Sequence, residues 1–114
     1  MTIHLPDYSD IEAAAERIAP WAVVTPLLEN PALNARMGTR VLLKAEPFQR
    51  TGSFKFRGAC NRICLIPKAE RKRGVIAFSS GNHAQGVAAA AALFDLPATI
   101  VMPADAPRAK IEGT

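Results

Sequence analysis

The stretch V-I-A-F-S-S-G-N-H-A-Q-G-V-A-A-A-A-A-L-F-D-L-P-A-T-I-V-M-P, residues 75 to 103, decides the fold. V-I-A-F (75 to 78) is a short apolar run of the kind a buried parallel strand requires. H-A-Q-G-V-A-A-A-A-A-L-F (83 to 94) is apolar nearly all round, so as a helix it must be buried against a sheet. Its alanines and Gly86 let another backbone approach closely. A-T-I-V-M-P (98 to 103) is the next strand, and A-P-R-A-K-I-E-G-T opens a further helix with Pro107 near its first turn. Strand, helix, strand, helix at this spacing predicts an α/β fold containing a βαβ unit with a right-handed crossover. Two strands and one crossover are too little sheet to cover the apolar helix. The pattern breaks off at Thr114, so the chain reads as the N-terminal piece of a longer polypeptide.

Working back from this unit, the other elements are shorter. S-D-I-E-A-A-A-E-R-I-A-P predicts a first helix, with Ser9 and Glu12 at capping-box spacing, an apolar stripe of Ile11, Ala14, Ala15 and Ile18, and Pro20 as its stop. V-V-T-P-L-L-E-N-P, with two prolines close together, reads as extended or looped. Residues 40 to 45 are a strand candidate between Gly38 and Pro47. Ala59, Cys60, Ile63 and Ile66 recur at helical spacing until Pro67, which predicts a helix over 54 to 66.

Composition narrows the function classes. Hydrophobic residues make up 49% and charged residues 21% of the 114, which is globular composition for one small domain at most. No run approaches the roughly 18 apolar residues of a membrane span, and M-T-I-H-L-P-D lacks the pattern of a signal peptide. Cys60 and Cys64 share a helix face where a disulfide has poor geometry, so both read as small buried residues, and a cytoplasmic home follows. The two histidines, His4 and His83, form no metal spacing with them. The net charge of +4 gathers partly in Arg62, Lys68, Arg71, Lys72 and Arg73. No Trp or Tyr accompanies that patch, so it reads as a solvated connector and not a nucleic-acid footprint.

Two places carry chemistry. F-S-S-G-N-H-A-Q-G (78 to 86) lies where a parallel strand ends and a buried helix begins, the usual ligand position of open α/β sheets. Ser79, Ser80 and Asn82 are suited to cap that helix, Gly81 to a conformation closed to other residues, and the free N–H groups to an anion. By itself the stretch is equally consistent with capping alone. R-T-G-S-F-K-F-R-G (50 to 58) places Lys55 between Phe54 and Phe56, in the first turn of a helix, with Arg50 and Arg57 close by. Apolar neighbours, the helix dipole and like charge all push a lysine towards its neutral form, a nucleophile for carbonyls. A lysine that snorkels to water past the two rings is the plain alternative.

Taken together, R-T-G-S-F-K-F-R-G-A followed by S-S-G-N-H-A-Q-G resembles the pyridoxal-phosphate enzymes of tryptophan-synthase β-like fold, in the branch of threonine/serine dehydratases (ammonia-lyases) and serine racemases. The likeness runs from V-V-T-P-L through L-K-A-E-P-F-Q-R-T-G-S-F-K to V-M-P-A-D-A-P-R-A-K. It implies a three-layer fold of parallel sheet and helices, incomplete here. Residues 1–70 would belong to the large cofactor-binding domain and 71–114 would begin the small one. It also implies that Lys55 holds pyridoxal 5′-phosphate as a Schiff base and takes the substrate α-proton. Asn82 would bond the cofactor's ring hydroxyl. Ser80, Gly81, Asn82 and His83 would grip the substrate carboxylate, and Ser80 would serve as the acid or base of racemases. Phe54 and Phe56 would shape the pocket and exclude water.

The implied reaction turns L-threonine or L-serine into a 2-oxo acid and ammonia. Serine racemization and 3-hydroxyaspartate dehydration are the neighbouring activities, and a non-catalytic truncated fragment is the alternative from another class. The implied partners are an amino-acid substrate and, at full length, further copies in a homo-oligomer. The family's phosphate-cradling glycine run is not in this stretch, whose seven glycines include no adjacent pair.

Overall fold

The computed structural model describes residues 5–114; Met1–His4, with the His4 weighed above, lie outside the described residues. Helix α1 spans Tyr8–Ile18. The Asp7 carboxylate accepts from the N–H groups of Ser9 and Asp10, and Asp10 returns a bond to the Asp7 N–H. The capping box is therefore Asp7 with Asp10, not Ser9 with Glu12, because Ser9 already lies inside the helix. Of the expected apolar stripe only Ile18 is buried. Ile11, Ala14 and Ala15 instead line an open groove of about 550 Å³ with Ala22, Val24 and Gly58.

The stretch with two prolines holds more order than expected. Strand β1 (Leu27–Glu29) pairs antiparallel with β2 (Leu42–Lys44), placing Leu28 opposite Leu43. Between them stands α2 (Pro31–Met37), a helix the sequence reading passed over. Its signals are local. Asn30 Oδ1 accepts from the Ala32 and Leu33 N–H groups at 2.9 and 3.1 Å, Pro31 fills the first turn, and Gly38 ends the helix at φ +63°.

Helix α3 (Lys55–Cys64) is followed by an exposed 3-10 turn, Lys68–Arg73, in which Arg71 lies 5.0 Å from the Phe94 ring. Strands β3 (Val75–Phe78) and β4 (Ala98–Val101) then pair in parallel around α4 (Asn82–Leu93), the βαβ unit that residues 75 to 103 predict. Helix α5 (Arg108–Gly113) follows Pro107. Among the described residues the parallel sheet has two strands, and β1 and β2 form a separate antiparallel pair.

The core is a seam between two helices. Phe56, Cys60 and Ile63 of α3 meet Val87, Ala90 and Ala91 of α4. Gly86 makes the close approach possible, since a Cβ there would stand 3.1 Å from the Lys55 carbonyl carbon and 3.2 Å from the Phe56 nitrogen. Both cysteines are free; Cys60 is fully buried, which pushes its thiol up to about 11.

Candidate active site

The backbone entering α3 is unusual. Thr51 has φ +61° and Gly52 has φ +69°, two successive left-handed residues. For a β-branched side chain that conformation costs on the order of 1–3 kcal/mol. The hydroxyls of Thr51 and Ser53 are buried without a hydrogen-bond partner among the described residues. Strain and unpaired polar atoms together mark a turn shaped for something other than stability.

That turn is fixed from behind. Arg57 grips Glu46 through two bonds of 2.9 and 2.8 Å, and Thr25 Oγ1 donates to Glu46 Oε1 at 2.6 Å. The Arg57 guanidinium pulls the Glu46 carboxyl down to about 2, against the cost of its burial. Buried Gln49 clasps the Val23 backbone both ways, accepting from its N–H at 3.0 Å and donating to its carbonyl at 2.9 Å. Glu46, Gln49 and Thr25 were not singled out from sequence, although Glu46 and Gln49 lie within the quoted motif.

Lys55 stands at the start of α3 and is exposed. Its Nζ lies 5.2 Å from the Phe54 ring and has no hydrogen-bond or ion-pair partner among the described residues. The expected apolar sandwich is only half present. Phe56 is fully buried in the core, its ring at the back of an open cleft lined also by Arg50, Thr51, Ala89 and Leu93, whereas Phe54 is 59% exposed. The two arginines are also occupied elsewhere: Arg50 donates to the Trp21 carbonyl at 2.6 Å, and Arg57 is held by Glu46. Of the expected neighbours, Phe54 is the one that stands beside the amine.

The second stretch opens α4 without a side-chain cap. Gly81 is the cap residue, and Ser79 Oγ only accepts from the Gly81 N–H at 3.2 Å, so Ser79, Ser80 and Asn82 do not cap. Gly81 has φ −163° and ψ −122°, and a Cβ there would meet no neighbouring atom. The N–H groups of Asn82, His83 and Ala84 have no acceptor among the described residues. An uncapped helix start is suited to a carboxylate.

Gly86 brings the two stretches together. Its α-carbon packs on Lys55, and Asn82 lies one turn earlier on the same face of α4. His83 turns elsewhere, into a cleft of about 330 Å³ lined by Gly58, Ile63, Val75 and Val87. Ser80 is exposed. Asn82 Oδ1 accepts from Lys110 Nζ at 2.6 Å. Lys110 was missed as well, since nothing in local spacing links residues 28 apart. Among the described residues no cluster of His, Cys, Asp or Glu could hold a metal, and no helix is long and apolar enough to cross a membrane.

Residues 18–114 match the family model described as pyridoxal-phosphate dependent enzyme. The chain belongs to that family. It is 54% identical to the L-threo-3-hydroxyaspartate ammonia-lyase of a Pseudomonas species, over 98% of this chain and 35% of that protein. It is 50% identical to the L-threonine ammonia-lyase of Thermotoga maritima, over 92% of this chain and 26% of that protein. The structure of maize serine racemase superposes with a TM-score of 0.91 at 41% identity, covering 96% of this chain and 33% of that one. The chain thus spans between about a quarter and a third of the length of these relatives.

The residues present fit the family's cofactor in part. Lys55 offers an unpaired amine, Asn82 an unengaged Nδ2, and the start of α4 three unpaired amides. These suit an aldehyde, a ring oxygen and a carboxylate. Adjacent glycines of the kind that would cradle the cofactor's phosphate do not occur in the sequence.

Proposed function

We propose that the chain is the front part of a pyridoxal-phosphate dependent ammonia-lyase that converts L-threonine or L-serine to a 2-oxo acid and ammonia. The observation that carries this reading is the packing of Gly86 against the Lys55 backbone, which joins the first turn of α3 to the helix whose start is uncapped. When bound, the cofactor supplies an aldehyde to condense with an amine and a ring that withdraws electrons from the substrate's α-carbon. Lys55 Nζ would carry that linkage and, once freed, accept the α-proton. The amides of residues 82 to 84, with Ser80 and Gly81 beside them, would hold the substrate carboxylate so that the α-proton faces the lysine. Asn82 Nδ2 would bond the ring oxygen. Phe54, exposed beside Lys55, is the residue placed to cover the amine.

The 54% likeness to a 3-hydroxyaspartate ammonia-lyase supports that acid as a second substrate reading, and racemization of serine is the third activity of the branch. All three amino acids carry a hydroxyl on the β-carbon. A cytoplasmic setting, and the division into residues 1–70 and 71–114, belong to the same proposal. The boundary would fall in the Lys68–Arg73 turn, across which α3 and α4 share one core.

Borohydride reduction in the presence of pyridoxal phosphate, followed by peptide mapping, tests the assignment. Label is expected on Lys55 in preference to Lys44, Lys68, Lys72 and Lys110. Label elsewhere refutes it. Without a phosphate cradle, the 114 residues are expected to bind the cofactor weakly and turn over little substrate. An absorbance titration that saturates tightly would contradict that.

A further inference from the structure

We propose that Lys110 is a positioning residue for the cofactor site, fixing the orientation of the Asn82 amide so that Nδ2 is the group left free to donate. This rests on the reading above, in which Asn82 receives the cofactor's ring oxygen. An ammonium has no acceptor, so the atom that meets Lys110 Nζ at 2.6 Å must be the Asn82 carbonyl oxygen. The same Nζ lies 3.5 Å from Gln85 Oε1, one turn further along α4. Two oxygens on one helix face therefore hold a single half-buried lysine, and it reaches them from α5.

With Oδ1 engaged by Lys110, the Asn82 amide is left with Nδ2 as its free donor. Nδ2 has no partner among the described residues. A free asparagine would accept or donate as its ligand required. This one is held with its oxygen engaged and its donor free, so it favours an oxygen that has lost its proton over a hydroxyl that must give one. The lysine charge, one bond removed, polarises the amide in the same direction. Lys110 thereby selects the form of ring oxygen the site holds without touching it.

The test uses the whole chain and two probes, pyridoxal 5′-phosphate and its 3-deoxy analogue, which lacks the ring oxygen. Borohydride fixes whatever has condensed with Nζ, and the label on Lys55 is read against that on exposed Lys68. Lys110→Met is expected to lower Lys55 labelling by pyridoxal phosphate about tenfold at subsaturating concentration, the loss of one placed hydrogen bond to a charged acceptor. Labelling by the deoxy analogue should be unchanged. Lys110→Arg, which keeps the donors, should retain most of the labelling. Asn82→Asp, which keeps an oxygen for Lys110 but has no donor, should lose at least as much as Lys110→Met. An equal effect on both probes, or none on either, overturns the inference alone. Absence of Lys55 label in the unsubstituted chain overturns the proposed function and this inference with it.

Discussion

Glu46 shows how much one side chain can organise ahead of a reactive residue. Its carboxylate joins Arg57, Thr25 and, through Arg57, the Val23 carbonyl, so that the segment before β1 and the first turn of α3 share one anchor. Its folded pKa of about 2 lies below the usual carboxylate value, chiefly because of Arg57. A group depressed in this way stabilises the fold fully above about pH 4.5, and that contribution fades as pH falls towards 2. Solvent reaches part of the pair, so its worth is on the order of 1–2 kcal/mol. Glu46→Gln should lower the urea midpoint at pH 7 by a corresponding amount and flatten the loss of stability between pH 4.5 and 2. An unchanged acid limb would show that other carboxylates dominate.

Among the elements, α3 and α4 matter most, and their seam has no slack at Gly86. Gly86→Ala would put a methyl group 3.1–3.2 Å from three backbone atoms of Lys55 and Phe56. Backbone cannot rotate away as a side chain can, so the helices must part by a few tenths of an ångström, at about 1–3 kcal/mol. Thermal unfolding should register that cost, and cofactor trapping on Lys55 should fall with it; full retention of both would contradict the seam's role. This seam was largely legible in the sequence. The alanine run and Gly86 announced a helix meant for close packing, and the four-residue strand before it was placed to the residue. Helix α2 escapes the sequence pattern because two prolines close together suggest extended chain, whereas Pro31 in fact fills a first helical turn. The capping of α4 was misread for a related reason: serine and asparagine suit a cap by type, but only tertiary placement decides whether their oxygens reach the amides. Lys110 and Glu46 lay beyond local pattern altogether, since their partners are set by how the chain folds back.

At the scale of the whole molecule, much apolar surface is left open. The radius of gyration is 16.9 Å, against roughly 13 Å for a compact domain of this length. The accessible surface is 8210 Å², against about 6,100 Å² for a compact monomer of this mass. Leu27, Leu28, Leu43, Ile76 and Phe78 of the strands all face outward. Unfolding should therefore expose less new surface than usual, and the urea m-value is expected at about 80% of that for a compact domain of this size. A full-sized m-value would mean that solution packing is tighter than this. The excess of about 2,100 Å² is of the size that permanent partners bury.

The exposed Lys68–Arg73 turn and the seam between α3 and α4 together govern what a protease would do. Trypsin should cut first at that basic turn, yet the two products would remain one particle, because Phe56, Cys60 and Ile63 on one side still interlock with Val87, Ala90 and Ala91 on the other. The nicked protein should co-elute on a sizing column in native buffer and separate only in denaturant.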